Sequence, residues 1–144
     1  MTEHPFDYRS FRSDDKWVAK YCINSMCKNH LFPKRIVNLF TLGYTVGALD
    51  WELIKEVNDG IQRFTAILGP EEHRIDNVDE IRLDLSRDEF ISLLKIACAW
   101  FKKRNPSQIE ELNSALEIAG VIPPDNSLRK SWQYCQPNLK ASFV

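Results

Sequence analysis

Two long apolar stretches at helical spacing, residues 34–68 and 87–124, flank an acidic connector over 71–86, and this arrangement most constrains what the 144-residue chain can fold into. From Lys34 to Ala48 apolar side chains occupy nearly every side, with Ile36, Val37, Leu39, Phe40, Leu42, Tyr44 and Val46 and no charge after Arg35. A helix of that character belongs in the middle of a bundle. Gly43 and Gly47 lie one turn apart and would let a neighbouring helix approach closely. Asp50 then reads as the cap of a second helix, with Leu53, Ile54, Val57, Ile61, Phe64 and Leu68 on one face and Lys55, Glu56, Asp59, Gln62 and Arg63 on the other. Gly69 and Pro70 read as its stop.

The second stretch opens on Ser86 and Glu89, the spacing of a capping box. Phe90, Leu93, Leu94, Ala97, Trp100 and Phe101 follow as one stripe, and Lys102, Lys103 and Arg104 suit the carbonyl end of a helix. Asn105, Pro106 and Gln108 restart a helix with inner face Ile109, Leu112, Leu116 and Ala119, which Gly120 and the Pro123–Pro124 pair terminate. Ahead of both stretches, Ser13 with Asp14 and Asp15 caps a helix whose stripe is Trp17, Val18, Tyr21, Cys22 and Met26, and Pro33 opens the next one. Asp125 caps a further short helix through Leu128 and Trp132. Residues 1–12 read as a loosely docked arm and 137–144 as a frayed tail. The expectation is an all-α, single-domain bundle over 1–144, with five or six helices paired as αα-hairpins. Its core would hold Trp17, Tyr21, Val37, Phe40, Tyr44, Leu53, Val57, Ile61, Phe64, Phe90, Leu94, Ala97, Trp100, Leu112 and Leu116.

A 44% hydrophobic content with 16 aromatic side chains supplies a core at this length without metal or disulfide. The opening MTEHPFDYRSFRSDDKW places charges and a proline where a secretory signal needs an apolar run, and no stretch reaches membrane-spanning length. A cytoplasmic protein without membrane contact is expected, so Cys22, Cys27, Cys98 and Cys135 should be reduced. Cys22, Cys27 and His30 could meet on one helix, but structural zinc sites use four ligands in short paired loops. Cys22 continues the apolar stripe and reads as a core thiol, as does Cys98.

No phosphate loop, metalloprotease motif or catalytic dyad is present, and His4, His30 and His73 read as surface or helix-end residues. No cofactor or metal is expected. The carboxylates of 71–89 lack the central glycine and closing glutamate of a calcium loop. From Glu71 to Glu89 there are eight acids (Glu71, Glu72, Asp76, Asp79, Glu80, Asp84, Asp88, Glu89) against three bases (Arg74, Arg82, Arg87), whereas the whole chain carries a net charge of −1. Such a block suits a basic protein partner and argues against nucleic acid as the ligand. The clusters Lys102–Arg104 and Arg129–Lys130 are too short for a phosphate track. Asp76, Asp79, Glu80 and Asp84 are the expected partner-binding residues, with Ile75, Val78 and Ile81 docking the connector or widening the contact.

The small and aromatic positions of 34–68, and the run Ala115, Ala119, Pro123 in 87–124, resemble tetratricopeptide and related αα-repeat units, although the connector breaks the regular repeat period. That resemblance implies stacked helical hairpins and an adaptor or regulatory scaffold. Over the whole chain, RIDNVDEIRLDLSRDEF followed by LLKIACAWFKK resembles the small immunity proteins of bacterial contact-dependent growth inhibition systems. It implies a non-enzymatic protein that binds and neutralises a toxin, here a basic toxin domain. An enzyme using the acidic connector is the third reading.

Overall fold

In the computed structural model, which describes residues 4–7, 14–46 and 50–123, the segment from Tyr44 to Ser86 is mostly sheet. Two helices come first, α1 (Trp17–Met26) and α2 (Phe32–Leu42). Strands β1 (Tyr44–Val46), β2 (Trp51–Asn58) and β3 (Ile61–Leu68) follow. A single turn, α3 (Pro70–His73), precedes β4 (Ile81–Ser86), and the 18-residue α4 (Arg87–Arg104) starts directly from it. A 3-10 turn over Pro106–Gln108 leads into α5 (Ile109–Ile118). The strands form an antiparallel meander in the order β1-β2-β3-β4.

The protein is therefore an α+β fold, and the all-α bundle of helical hairpins is corrected. Gly43 takes a φ of 91° and closes α2, its N–H bonding to Leu39 O, so the helix expected to run on to Ala48 ends early. β-Branched Thr45 and Val46 then extend beside β2. The expected helix over 50–68 is a hairpin. Asp59 (φ 52°) and Gly60 (φ 77°) form the two-residue loop between the paired Asn58 and Ile61, the doubly left-handed turn whose twist matches the flanking strands. Nor does the second stretch make a helical hairpin, because α5 packs chiefly on α2. The tetratricopeptide-like architecture goes with these corrections.

Residues of alternate strand positions carry the core. Trp51, Leu53, Phe64, Ala66, Leu68 and Leu85 face the helices and join Ile23, Phe32, Ile36, Leu39, Phe90, Leu94, Phe101 and Leu112 in one apolar cluster. Phe64 stacks on Phe90 of α4 at 4.2 Å with the rings 9° from parallel, and Phe40 of α2 tilts against both. Trp17, Tyr21, Val37 and Trp100 pack at its margin. Tyr44, Val57 and Ile61, expected in the core, are 50%, 54% and 64% exposed. Cys22, Cys27 and Cys98 are buried, and desolvation pushes each thiol up to about 12.

Helix ends are closed both by neighbouring residues and by side chains from other elements. Ser86 and Glu89 make the expected capping box, and Lys16 Nζ reaches Glu89 Oε2 at 2.9 Å, tying the start of α1 to that of α4. Arg35 donates to the carbonyls of Ser25 and Met26 at the end of α1. Lys55, although on the helix-facing side of β2, places Nζ 2.6 Å from Phe40 O near the end of α2, where a cation suits the dipole. Asn105 donates back to Phe101 O, and Gln108 donates to His30 O rather than completing a cap. Within the expected N-terminal arm, Phe6 is buried and exchanges two backbone hydrogen bonds with the amide of the fully buried Asn24. The Ser13 cap, Gly47, the helix through Leu128 and Trp132, the tail over 137–144 and the rest of the arm lie outside the described residues.

Candidate functional site

Helices α1, α2 and α4 contact the strands and join the core on one side of the sheet, so register defines the opposite face. Three cross-strand rows line it: Tyr44, Ile54, Thr65 and Asp84; Glu52, Ile67 and Arg82; Glu56, Arg63 and Ser86. Thr65 and Ile67, on central β3, are buried, and Ile67 stands outside the main core cluster. Across the row from Tyr44 to Asp84 the face spans three strand spacings, about 14 Å.

The four acids expected to bind a partner are all exposed, but they come from two structures. Asp76, Asp79 and Glu80 belong to the loop between α3 and β4, and Asp84 belongs to β4 itself. Asp84 Oδ1 accepts from Thr65 Oγ1 at 2.8 Å, which fixes its carboxylate on the open face. Glu80 Oε1 accepts from Arg82 Nε at 2.8 Å. That hydrogen bond, then the charge of Glu80 and lesser fields from Glu52 and Asp84, raises the pKa of Arg82. Arg82 is thus surrounded by carboxylates, and the edge stays acidic around it.

The loop is built from its backbone outward. Gly69 N–H bonds to Asp50 O at 2.8 Å, and the Asp50 carboxylate accepts from Glu71 N at 3.2 Å, so Asp50 steadies the start of α3 rather than the longer helix expected of it. Pro70 at the first helical position, with Glu71 and Glu72 behind it, is the beginning of a helical turn and not only a stop. Tyr21 Oη donates to Glu72, linking α1 to this turn. Arg74 (φ 55°) and Asn77 (φ 63°) adopt left-handed backbone, bending the chain back. Ile75, Val78 and Ile81 are half-buried, and Ile81 packs against the core from the edge strand.

His73, read as surface or helix-end, is at the helix end but fully buried. Its Nδ1 accepts the Ile75 N–H at 2.9 Å, which leaves the proton on Nε2, 3.2 Å from Asp79 O. The imidazole therefore bridges both ends of the acidic loop. Sequence patterning gave no signal of its burial; the Pro70 helix start was the one clue that the loop is anchored here.

At the diagonally opposite corner, by the β2–β3 turn and β1, the structure leaves Leu42, Tyr44, Val57 and Ile61 exposed. By register Val57 lies on the helix-facing side and Tyr44 and Ile61 on the open face, so this apolar exposure is divided between the two faces of the sheet. Among the described residues no three His, Cys, Asp or Glu side chains are grouped to hold a metal ion. The three described cysteines are buried thiols, and both nitrogens of His73 are engaged by backbone. Among the described residues no helix is long and apolar enough to cross a membrane.

The fold class is a one-sided α+β sandwich of helices on an antiparallel meander. No protein-family model matches the chain, and neither the curated proteins nor the solved structures give a match.

Proposed function

We propose that this is a non-enzymatic binding protein of the cytoplasm that neutralises a basic toxin domain by occupying it, as an immunity protein does. The observation that carries the reading is the exposed acidic run formed by the loop between α3 and β4 and by β4 itself. Asp76, Asp79, Glu80 and Asp84 are all exposed there, while Arg82 is already held by Glu80. A net acidic surface of this kind accelerates encounter with a cationic partner and repels anionic competitors. Fixed carboxylates such as Asp84 also offer directed acceptors to arginine or lysine. The whole-chain resemblance to immunity proteins supplies the toxin as the kind of partner.

The test combines Asp76→Lys, Asp79→Lys, Glu80→Lys and Asp84→Lys in one variant. Affinity purification of the tagged wild type from its native cells first supplies the co-purifying chain, whose binding is then measured with purified components. The reversed variant should keep its circular dichroism, since exposed charges add little to stability. It should associate at least about tenfold more slowly at low salt and no longer protect cells producing the partner. Wild-type association should itself slow as salt rises toward about 0.5 M. If the variant binds and protects like wild type, the interface lies elsewhere and the corner of Leu42, Tyr44, Val57 and Ile61 becomes the next candidate.

A further inference from the structure

We propose that His73 is a proton-operated latch that holds the acidic loop 74–80 closed when neutral and releases it when protonated. The geometry permits only one ring state. With Nδ1 accepting from Ile75 N–H and Nε2 facing Asp79 O, the imidazole must carry a single proton, on Nε2. A proton taken from solvent by Nδ1 turns that acceptor into a donor aimed at another donor. The Ile75 hydrogen bond is then lost, and the ring, fully buried, would carry a charge.

The titratable and charged groups of the elements meeting at the ring are carboxylates for the most part. Glu71 and Glu72 lie on α3, and Tyr21 of α1 is bonded to Glu72. Asp50, just before β2, reaches Glu71 N, and Arg74, Asp76, Asp79 and Glu80 belong to the loop. Protonation therefore acts on the segment that displays Asp76, Asp79 and Glu80. The β2–β3 hairpin has its own ladder and needs nothing from His73. The latch concerns the loop whatever the loop binds, and its test reads the loop directly.

Backbone amide exchange of the full-length chain is compared at about pH 7.5 and about pH 5.0, across the range in which an imidazole titrates, after correction for the intrinsic rate. Protection at Ile75 and its loop neighbours should fall about tenfold at the lower pH, the effect expected from losing one hydrogen bond, while β3 amides hold. His73→Asn supplies an acceptor two residues before Ile75 that does not titrate there, and should leave loop protection flat with pH. Equal pH responses in wild type and variant, or loop and β3 amides that change together in wild type, would overturn the latch. Should the variant fail to fold, ring nitrogen shifts of wild-type His73 decide. The proposal requires the Nε2–H tautomer at neutral pH and an Ile75 amide shift that follows the ring's titration; a Nδ1–H ring or an unresponsive amide rules it out.

Discussion

On the helix-facing side of the sheet Leu53, Phe64, Ala66, Leu68 and Leu85 are closed off from water, whereas on the other side the same strands hold Glu56, Arg63, Arg82 and Asp84 in it. The inner face is held by close packing, as in the Phe64–Phe90 stack, and tolerates almost no change of volume. The outer face is held by its ladder and a few cross-strand contacts such as Thr65–Asp84, and its residues are available for recognition. One sheet thus separates stability from contact. Substitutions one residue apart should therefore have very different consequences.

The largest difference is expected at β3. Phe64→Ala removes the ring that both α2 and α4 pack on and should cost about 3–5 kcal/mol in denaturant unfolding, whereas exposed Arg63→Ala should stay within about 0.5 kcal/mol. Similar losses at the two positions would mean that the faces are not distinct. A smaller effect is expected where the sheet passes into the acidic loop. A Cβ on Gly69 would fall 2.4 Å from the Asp50 carboxylate, so Gly69→Ala should cost about 1–3 kcal/mol through displacement of Asp50. Because the clash is with one side chain, Asp50→Ala in the same chain should recover part of the loss, and a double-mutant cycle showing strict additivity would sink this account.

The smallest effect belongs to pH and to the helix layer. Bonding to Ser86 N–H, then to Lys16, lowers Glu89 from its ordinary 4.5 to about 2. A depressed carboxylate stabilises the fold above its unfolded pKa, and that contribution fades as pH falls from about 4.5 toward about 2. Glu89→Gln should remove this part of the acid dependence while changing little of its shape above that window. An unchanged acid limb in the variant would show that other carboxylates set it.

What could be read from the sequence was what local rules decide. The capping box of Ser86 and Glu89, the stripe of Phe90 to Phe101 and the core thiols follow from residues within a turn or two of one another. The hairpin was harder because Leu53, Ile54, Val57, Ile61, Phe64 and Leu68 fit a helical face, while Trp51, Leu53, Lys55 and Val57 with Phe64, Ala66 and Leu68 alternate as a strand pair. The deciding signal was Asp59–Gly60, a turn dipeptide in the middle of the supposed helix. At the candidate site, the exposure of Asp76, Asp79, Glu80 and Asp84 agreed with their charge. Their division between loop and strand did not show, because it depends on β4 pairing with β3. The burial of His73 was likewise out of reach, since the residues that enclose it come together only when the loop turns back at Arg74 and Asn77.

Cys22, Cys27 and Cys98 sit where the helix layer meets the sheet and itself, Cys22 Sγ lying 3.6 Å from Ile67 O, and each thiol stays protonated far above neutral pH. A thiol in that condition meets an alkylating reagent only when the surrounding structure parts, so labelling becomes a clock for breathing of the native state. Cys22 would time the lifting of the first helix from the strands, and Cys98 the opening around the long fourth helix. The chain thus carries, without any added label, reporters able to tell which layer separates first.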